Sequence, residues 1–168
     1  MKCWKYILLL FFVICCDHSE NKISEIEFHK LMRNVEEGWS TQKPDKALSS
    51  FDEDAIYMEP PNIQYYRGHE QLRPYFDELD SKYKMEFHNL WFNKDTQSGA
   101  AEYTFSYGKD TSDVGIVVVE LKNGKIKFWR EYQRKGPTDF KEFLQIENKE
   151  WIWHIGNYPE PKDSIIEK

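Results

Sequence analysis

The hydrophobic periodicity of this chain changes near Phe87, from a helical repeat to an alternation of two. Before this point apolar residues recur every three or four positions, and the first such set comprises Phe28, Leu31, Met32, Val35 and Trp39. This spacing is typical of an amphipathic helix. After it, apolar and polar residues alternate from Ala101 to Tyr107, which is typical of a half-buried strand. Helices followed by a run of strands predict an α+β domain, with N-terminal helices packed on one face of a mostly antiparallel sheet.

Capping and turn residues place the individual elements. Ser24 with Glu27 forms a capping box that predicts a helix over 24–39. Pro44 suits the first turn of a second, short helix, and Gly68 precedes a third. Strands are predicted over 87–93, 101–107, 114–121 and 126–133, and Asn123-Gly124 predicts a hairpin turn before the last of them.

The segment over 51–76, FDEDAIYMEPPNIQYYRGHEQLRPYF, follows the second predicted helix and runs into the third. It predicts a turn at 52–54, a strand at 55–58 and an aromatic loop after Pro60-Pro61. Alternation in the strand puts Tyr57 and Glu59 on the same face. A carboxylate directly before two prolines marks the rim of a sheet, where functional sites are often found. Glu59 is therefore the first candidate for a site residue.

The N-terminus differs in composition from the rest of the chain. Lys2 and Lys5 precede an apolar run at 6–14 that is too short to span a bilayer as a helix, which predicts a signal peptide over 1–15. Residues 13–16, Val-Ile-Cys-Cys, resemble a bacterial lipobox, in which Cys16 would be lipidated after cleavage. Residues 16–22 then form a tether. We expect a protein of the bacterial cell envelope, lipid-anchored by this signal or otherwise periplasmic or secreted.

Composition excludes several classes of site. No cysteine follows Cys16, so the domain has no internal disulfide and no thiolate metal site. The histidines lack metal-ligand spacing, and no cofactor motif is present, so we expect neither metal nor cofactor. Removal of residues 1–15 changes the formal net charge from −6 to −8. Such an acidic domain argues against a nucleic-acid partner and leaves the lipid anchor as its only membrane contact.

The order of motifs is similar to that of the nuclear-transport-factor-2-like superfamily, in its SnoaL-like branch. These motifs are Phe51, Asp54, Ala55, Glu59-Pro60, Arg67-Gly68-His69-Glu70, Tyr75-Phe76, and Gly124-Lys125-Ile126 with Trp129, Glu131 and Tyr132. The resemblance implies a cone, formed by a strongly curved sheet over the helices, with an apolar pocket inside. We place this domain at 23–136. Residues 137–168 form a C-terminal extension that should pack on it, with 151–155 either strand or helix.

The resemblance also implies roles for two carboxylates. In the ketosteroid isomerase branch a general base directly precedes the proline of the first strand, and Glu59 occupies that place. The oxyanion-hole tyrosine of that branch falls near Val35, which cannot donate a hydrogen bond. In the limonene epoxide hydrolase branch a pocket carboxylate follows Trp-Arg in the last strand, as Glu131 does here. The partner Arg-x-Asp of that branch has no counterpart over 101–107. The snoaL-type polyketide cyclases are a third relative.

Two orientations of the last strand remain open. Either Lys127, Trp129, Glu131 and Gln133 face the pocket, or Ile126, Phe128 and Tyr132 do. The first orientation puts Glu59 and Glu131 together as catalytic residues, and proximity of two carboxylates raises the pKa of one of them. The predicted ligand-binding residues are Tyr57, Trp91, Tyr103, Phe105 and Trp129.

The sequence supports three functions. The leading one is an envelope-anchored domain that binds a small, mostly apolar molecule without any need for catalysis. The second is a cofactor-independent isomerase, cyclase or hydrolase with Glu59 as general base. The third is an interaction module that forms a homodimer through the open face of the sheet. A second acid or a phenol converging on Glu59 favours the enzyme, and a lone Glu59 among aromatic rings favours binding.

Overall fold

The computed structural model describes residues 21–107 and 112–136. The predicted signal peptide, Cys16, most of the tether and the C-terminal extension with its 151–155 segment lie outside the described residues. No helix within the described ranges is long and apolar enough to cross a membrane.

The predicted α+β architecture is confirmed, with helices packed on a curved six-stranded sheet. The helices are α1 (Glu25–Ser40), α2 (Pro44–Leu48) and α3 (Gly68–Asp77). The strands are β1 (Phe51–Glu59), β2 (Gln64–Arg67), β3 (Tyr83–Asn93), β4 (Ser98–Tyr107), β5 (Ser112–Lys122) and β6 (Lys125–Gly136). Their order in the sheet is β2-β1-β6-β5-β4-β3. All neighbours are antiparallel except β1 and β6, which run parallel.

Helix α1 begins at the predicted capping box and packs on β3. The Ser24 hydroxyl accepts from the Glu27 amide, and the Glu27 carboxylate accepts from the Ser24 amide at 2.8 Å. At the other end, Ser40 donates to the Met85 carbonyl and accepts from the Met85 amide. These contacts fix the helix over the sheet, with its apolar stripe buried in the core.

The segment after α2 differs from the predicted turn, because β1 already begins at Phe51. Phe51 pairs with Ile126, and the Ile126 amide donates to the Ser50 carbonyl at 2.9 Å. Lys127 on β6 forms ion pairs with Asp52, at 3.2 Å, and with Asp54. The turn-forming residues 52–54 are therefore held extended by a neighbouring strand that is remote in sequence.

The predicted aromatic loop is also different, since part of it forms β2. Pro60–Asn62 make one turn of 3₁₀ helix, and Ile63 follows with a left-handed φ of 57°. The chain then turns back, so that Tyr66 pairs with Tyr57. This short hairpin places Asn62 beside the end of β1.

A β-bulge in β3 corrects the prediction for Trp91. The register shifts between Phe87 and Leu90. Met85 and Phe87 are buried before the shift, whereas Leu90 and Phe92 pack against the core after it. Trp91 is consequently on the outer face of the sheet and 51% exposed. Simple alternation along β3 would place Trp91 on the pocket side of the sheet, but its side chain does not line the pocket.

Candidate functional site

The side chains of Glu59 and Glu131 lie in one cavity between the sheet and the helices. Parallel pairing sets Tyr57 beside Trp129, so the two glutamates, each two positions further on, are neighbours. Each is only 2% exposed. The cavity has a volume of about 250 Å³ and is lined by Trp39, Glu59, Asn62, Gln64, Tyr75, Leu79, Tyr83, Phe105, Tyr107, Asp113, Glu131 and Gln133.

This arrangement decides the orientation of the last strand from Trp129 onwards. Trp129 and Glu131 are buried and Gln133 lines the cavity, while Tyr132 is 48% exposed on the outer face. Ile126 is also buried, because the register of β5 and β6 shifts near the hairpin. Lys127 lies away from the cavity with its two aspartates.

Four neutral groups donate to the Glu59 carboxylate. The Tyr57 hydroxyl lies 2.5 Å and the Tyr75 hydroxyl 3.1 Å from Oε1. The side-chain amides of Asn62 and Gln133 lie 2.8 and 3.1 Å from Oε2. A carboxylate has about four lone-pair positions. The protein's own donors therefore occupy all of them.

Three side chains form hydrogen bonds with the Glu131 carboxyl group. Tyr103 donates to Oε1 at 2.5 Å, and the Trp129 indole N–H donates to Oε2 at 2.8 Å. The Tyr57 hydroxyl is 2.9 Å from Oε2. The pKa of Glu131 is raised to about 7, because burial and then the negative charge of Glu59 raise it and the three hydrogen bonds only partly oppose the rise.

Tyr57 links the two carboxyl groups through its single hydroxyl. Its oxygen contacts Glu59 at 2.5 Å and Glu131 at 2.9 Å, but its one proton cannot be donated fully to both. Burial, and then the charges of nearby Glu131 and Glu59, keep the pKa of the phenol well above its ordinary value, so it stays protonated. The second proton needed for both contacts belongs on a carboxyl group, and the raised pKa of Glu131 assigns it there.

Most of the predicted ligand-binding residues serve the carboxylates instead of lining the cavity. Tyr57, Tyr103 and Trp129 are fully buried and donate to Glu59 or Glu131. Phe105 lines the cavity, and Trp91 lies on the opposite face of the sheet. The five roles themselves remain predictions.

Eight residues that line the cavity were not predicted as site residues: Trp39, Asn62, Gln64, Tyr75, Leu79, Tyr83, Tyr107 and Asp113. Trp39 belongs to the apolar stripe of the first helix and Tyr75 to one of the family motifs, whereas Asn62 and Asp113 carry no signal in the sequence. Tyr75 joins the site because α3 packs beside β1, which brings its hydroxyl 3.3 Å from that of Tyr57. The signal in the sequence for this residue was the family motif Tyr75-Phe76.

Gly115 on β5 leaves the space that the Tyr103 hydroxyl occupies. A Cβ at this position would lie 2.7 Å from Tyr103 Oη and 2.5 Å from the Tyr132 carbonyl oxygen. Both distances are far inside van der Waals contact, so a larger residue would displace Tyr103 from Glu131. In the two described ranges, no group of three or more histidine, cysteine, aspartate or glutamate side chains is placed to hold a metal ion.

Comparisons with known proteins agree on the fold. The model of the SnoaL-like domain family matches residues 32–129. An NTF-2 like protein of unknown function from Burkholderia xenovorans superposes with a TM-score of 0.60 at 17% identity, covering 79% of this chain and 98% of that one. A protein assigned to the ketosteroid isomerases from Kribbella flavida gives 0.59 at 16% identity, covering 78% and 96%.

A third solved structure, an LEH-like epoxide hydrolase from M. tuberculosis, gives a TM-score of 0.56 at 15% identity and covers 65% of this chain and 84% of that one. No match was found among curated proteins. At these identities the structural likeness shows the fold alone.

Proposed function

Because this chain belongs to the SnoaL-like domain family, in whose cone-shaped fold its two glutamates share one cavity, we propose that the domain is an acid–base enzyme that needs no cofactor. Glu59 is the general base and protonated Glu131 the general acid. The observation that carries the proposal is the hydroxyl of Tyr57, which contacts both carboxyl groups. Convergence of Glu59 with a second acid and with phenol donors favours catalysis over binding alone.

The geometry fits an isomerisation by proton transfer. Glu59 removes a proton from a carbon of the substrate, and Glu131 gives its proton to a second atom of the same molecule. Glu59 then carries the proton and Glu131 the charge. Tyr57 restores the starting state when it accepts the proton of Glu59 and passes its own hydroxyl proton to Glu131. The cycle consumes no water and leaves the composition of the substrate unchanged.

Hydrolysis is a weaker candidate for this chain. The resemblance to the epoxide hydrolase branch extends to Trp129-Arg130-Glu131, but the partner Arg-x-Asp is absent from 101–107. This chain shares its fold with structures of isomerases and hydrolases. A shared fold does not identify the reaction, so the choice between the two reactions depends on the residues of the cavity.

Binding without turnover is the second candidate, and one observation favours it. All four lone-pair positions of Glu59 accept hydrogen bonds from the protein, so none is open to a substrate proton. For Glu59 to act, Asn62 or Gln133 has to move when the substrate enters. The cavity, at about 250 Å³, is below the roughly 300 to 1,000 Å³ of drug-sized ligand sites, so either function implies a small molecule.

A homodimer through the outer face of the sheet is also a proposal. Ile116 and Tyr132 pair on adjacent strands and are both exposed on this face, as is Trp91. Half-buried Val118 lies between Ala100 and Arg130 in the same surface. Exposed apolar rows of this kind are suited to protein contacts, and a sedimentation measurement of the purified domain tests the proposal.

The catalytic proposal is tested by proton exchange, which requires no knowledge of the natural substrate. A panel of small cyclic ketones and enones is incubated with the protein in D₂O, and loss of the C–H signals is followed by NMR. We expect exchange with at least one compound and a loss of about 100-fold or more in Glu59→Gln, in the range of general-base contributions. Glu53→Gln, on the exposed face of the same strand, is the matched control and should behave as wild type.

The remaining variants separate catalysis from binding. Glu131→Gln should slow exchange because it removes the general acid. Tyr57→Phe should also slow exchange because it removes the hydroxyl that connects Glu59 with Glu131. Equal exchange rates in wild type and Glu59→Gln would refute the assignment of the base. Binding of panel compounds without any exchange would favour the second candidate.

A further inference from the structure

We propose that this cavity selects a positively charged ligand, namely a small alkylated ammonium with few or no N–H groups. The inference rests on the proposed function only in placing the ligand in the same cavity as Glu59. It specifies the class of molecule, which neither the fold nor the two carboxylates alone define.

The carboxylate of Glu59 has no positively charged partner among the described residues. Its four partners, Tyr57, Tyr75, Asn62 and Gln133, are all neutral donors. Among the described residues that line the cavity, none is lysine, arginine or histidine. A buried carboxylate is normally paired with a cation, because burial of an isolated charge is costly. A cationic ligand supplies the missing partner, whereas an anionic ligand would add repulsion from Glu59.

Aromatic rings form much of the wall of the cavity. Phe105 connects Trp39, at a ring-centroid distance of 6.4 Å, with Tyr83 at 5.5 Å and Tyr107 at 6.0 Å. Tyr75 lies on the other side of Trp39, at 5.8 Å and an interplanar angle of 86°. Proteins recognise quaternary ammonium groups with cages of aromatic rings, whose faces are negatively polarised.

The hydrogen bonds already made to the two carboxyl groups favour an alkylated ammonium over a primary ammonium or a guanidinium. A primary ammonium needs three acceptors and a guanidinium needs more. The carboxyl oxygens of Glu59 already have four hydrogen-bond partners in the protein, and those of Glu131 have three. Methyl groups on nitrogen need no acceptor and pack on aromatic rings. A trimethylammonium group therefore satisfies the charge of Glu59 without displacing the donors that already hold the two carboxyl groups.

The test compares choline with 3,3-dimethylbutan-1-ol, which has the same shape but carbon in place of the charged nitrogen. Dissociation constants for the full chain are measured by NMR titration. Because cation–π contact and the charge of Glu59 both favour the cation, we expect choline to bind about tenfold or more tightly than the alcohol. Pivalate, the anionic member of this series, should not bind.

Variants assign the preference to its two causes. Glu59→Gln should remove most of the preference for choline while the neutral alcohol still binds, and Phe105→Leu should reduce it. Glu53→Gln, exposed on the same strand, should leave it unchanged. Circular dichroism verifies that each variant is folded. Two different substitutions keep the test open if one of them fails to fold.

The outcomes distinguish this inference from the catalytic proposal. Choline binding without exchange of any carbon acid would refute catalysis and leave the cation preference standing. Exchange of neutral ketones, with choline and its alcohol binding equally, would overturn the cation preference only. Failure of choline to bind to the folded wild-type chain would overturn it as well.

Discussion

At the scale of single residues, Glu59 and Glu131 differ only in their partners. Glu59 receives two phenols and two amides and borders the hydrophilic rim with Asn62. Glu131 contacts Trp129 and Tyr103, and its pKa is raised to about 7, chiefly by burial. Glu131 can therefore hold a proton near neutral pH, which is the condition for its role as a general acid.

The raised pKa of Glu131 predicts that stability falls as the pH rises. Its ordinary value is 4.5 and its folded value about 7, so the native state holds a proton that the unfolded state releases between these limits. The stabilising contribution is fully present below pH 4.5 and is lost as the pH rises through 7. At roughly 1.4 kcal/mol per pKa unit, it amounts to about 3 kcal/mol.

Urea denaturation at pH 5 and pH 8 measures this effect. We expect wild type to be less stable at pH 8, and Glu131→Gln to lose most of the difference. Glu53→Gln is the control, since that side chain is exposed. An unaltered pH dependence in Glu131→Gln would contradict the assignment of the buried proton.

Sequence reasoning identified both carboxylates but not the donors that distinguish them. Glu59 before Pro60 and Glu131 after Trp129-Arg130 stand in recognisable local patterns. The contacts of Tyr57, Tyr75 and Tyr103 depend on how β1, α3, β4 and β6 meet in space. No spacing along the chain encodes these contacts, so the three tyrosine side chains could only be predicted as apolar lining or core.

At the scale of elements, α1 forms one wall of the cavity through its last turn. Trp39 is almost fully buried there and meets Phe76 edge-on at 5.1 Å and Trp129 at 6.1 Å. The same residue lines the cavity. The helix therefore couples packing of the core to the shape of the site.

We predict that Trp39→Ala lowers the free energy of unfolding by about 3 to 5 kcal/mol, because it leaves a large void among these rings. Chemical denaturation measures the loss. Ile26→Ala on the same helix is the control, since Ile26 is 83% exposed and should change stability by less than about 0.5 kcal/mol. A loss below about 1 kcal/mol for Trp39→Ala would mean that α1 does not bury this stripe against the sheet.

Element positions followed from periodicity except where strand pairing overrides it. The helices and the four later strands lie close to their predicted positions. The acidic residues at 52–54 read as a turn, but Lys127 on β6 holds them in a strand. The β-bulge after Phe87 puts Trp91 on the opposite face of the sheet, and no glycine or proline in the sequence marks its position. Both departures arise from contacts between distant parts of the sequence.

At the scale of the whole molecule, the acidic domain is predicted to be attached to a membrane only through Cys16. That prediction rests on residues 13–16 and on the charged and apolar segments before them. A single acyl chain binds membranes only marginally, and the several chains of a bacterial lipoprotein exceed this limit.

We predict that Cys16→Ser leaves the membrane fraction and loses lipid modification, as shown by fractionation and mass spectrometry. Cys15→Ser is the matched control, because it keeps a small residue before the modified cysteine and should remain anchored. Wild-type protein found entirely in the soluble fraction would contradict the lipoprotein assignment.

The parallel pairing of β1 with β6 sets the order in which this molecule can assemble. β1 is the first strand to be synthesised, yet its central neighbour is the last strand of the described sheet. Contacts between such remote segments slow folding, because a long loop has to close before they form. Until β6 arrives, Glu59 has neither Gln133 nor Glu131 beside it. The cavity is therefore a late product of folding, and a nascent chain that stops short of β6 exposes the inner edge of β1 to other molecules.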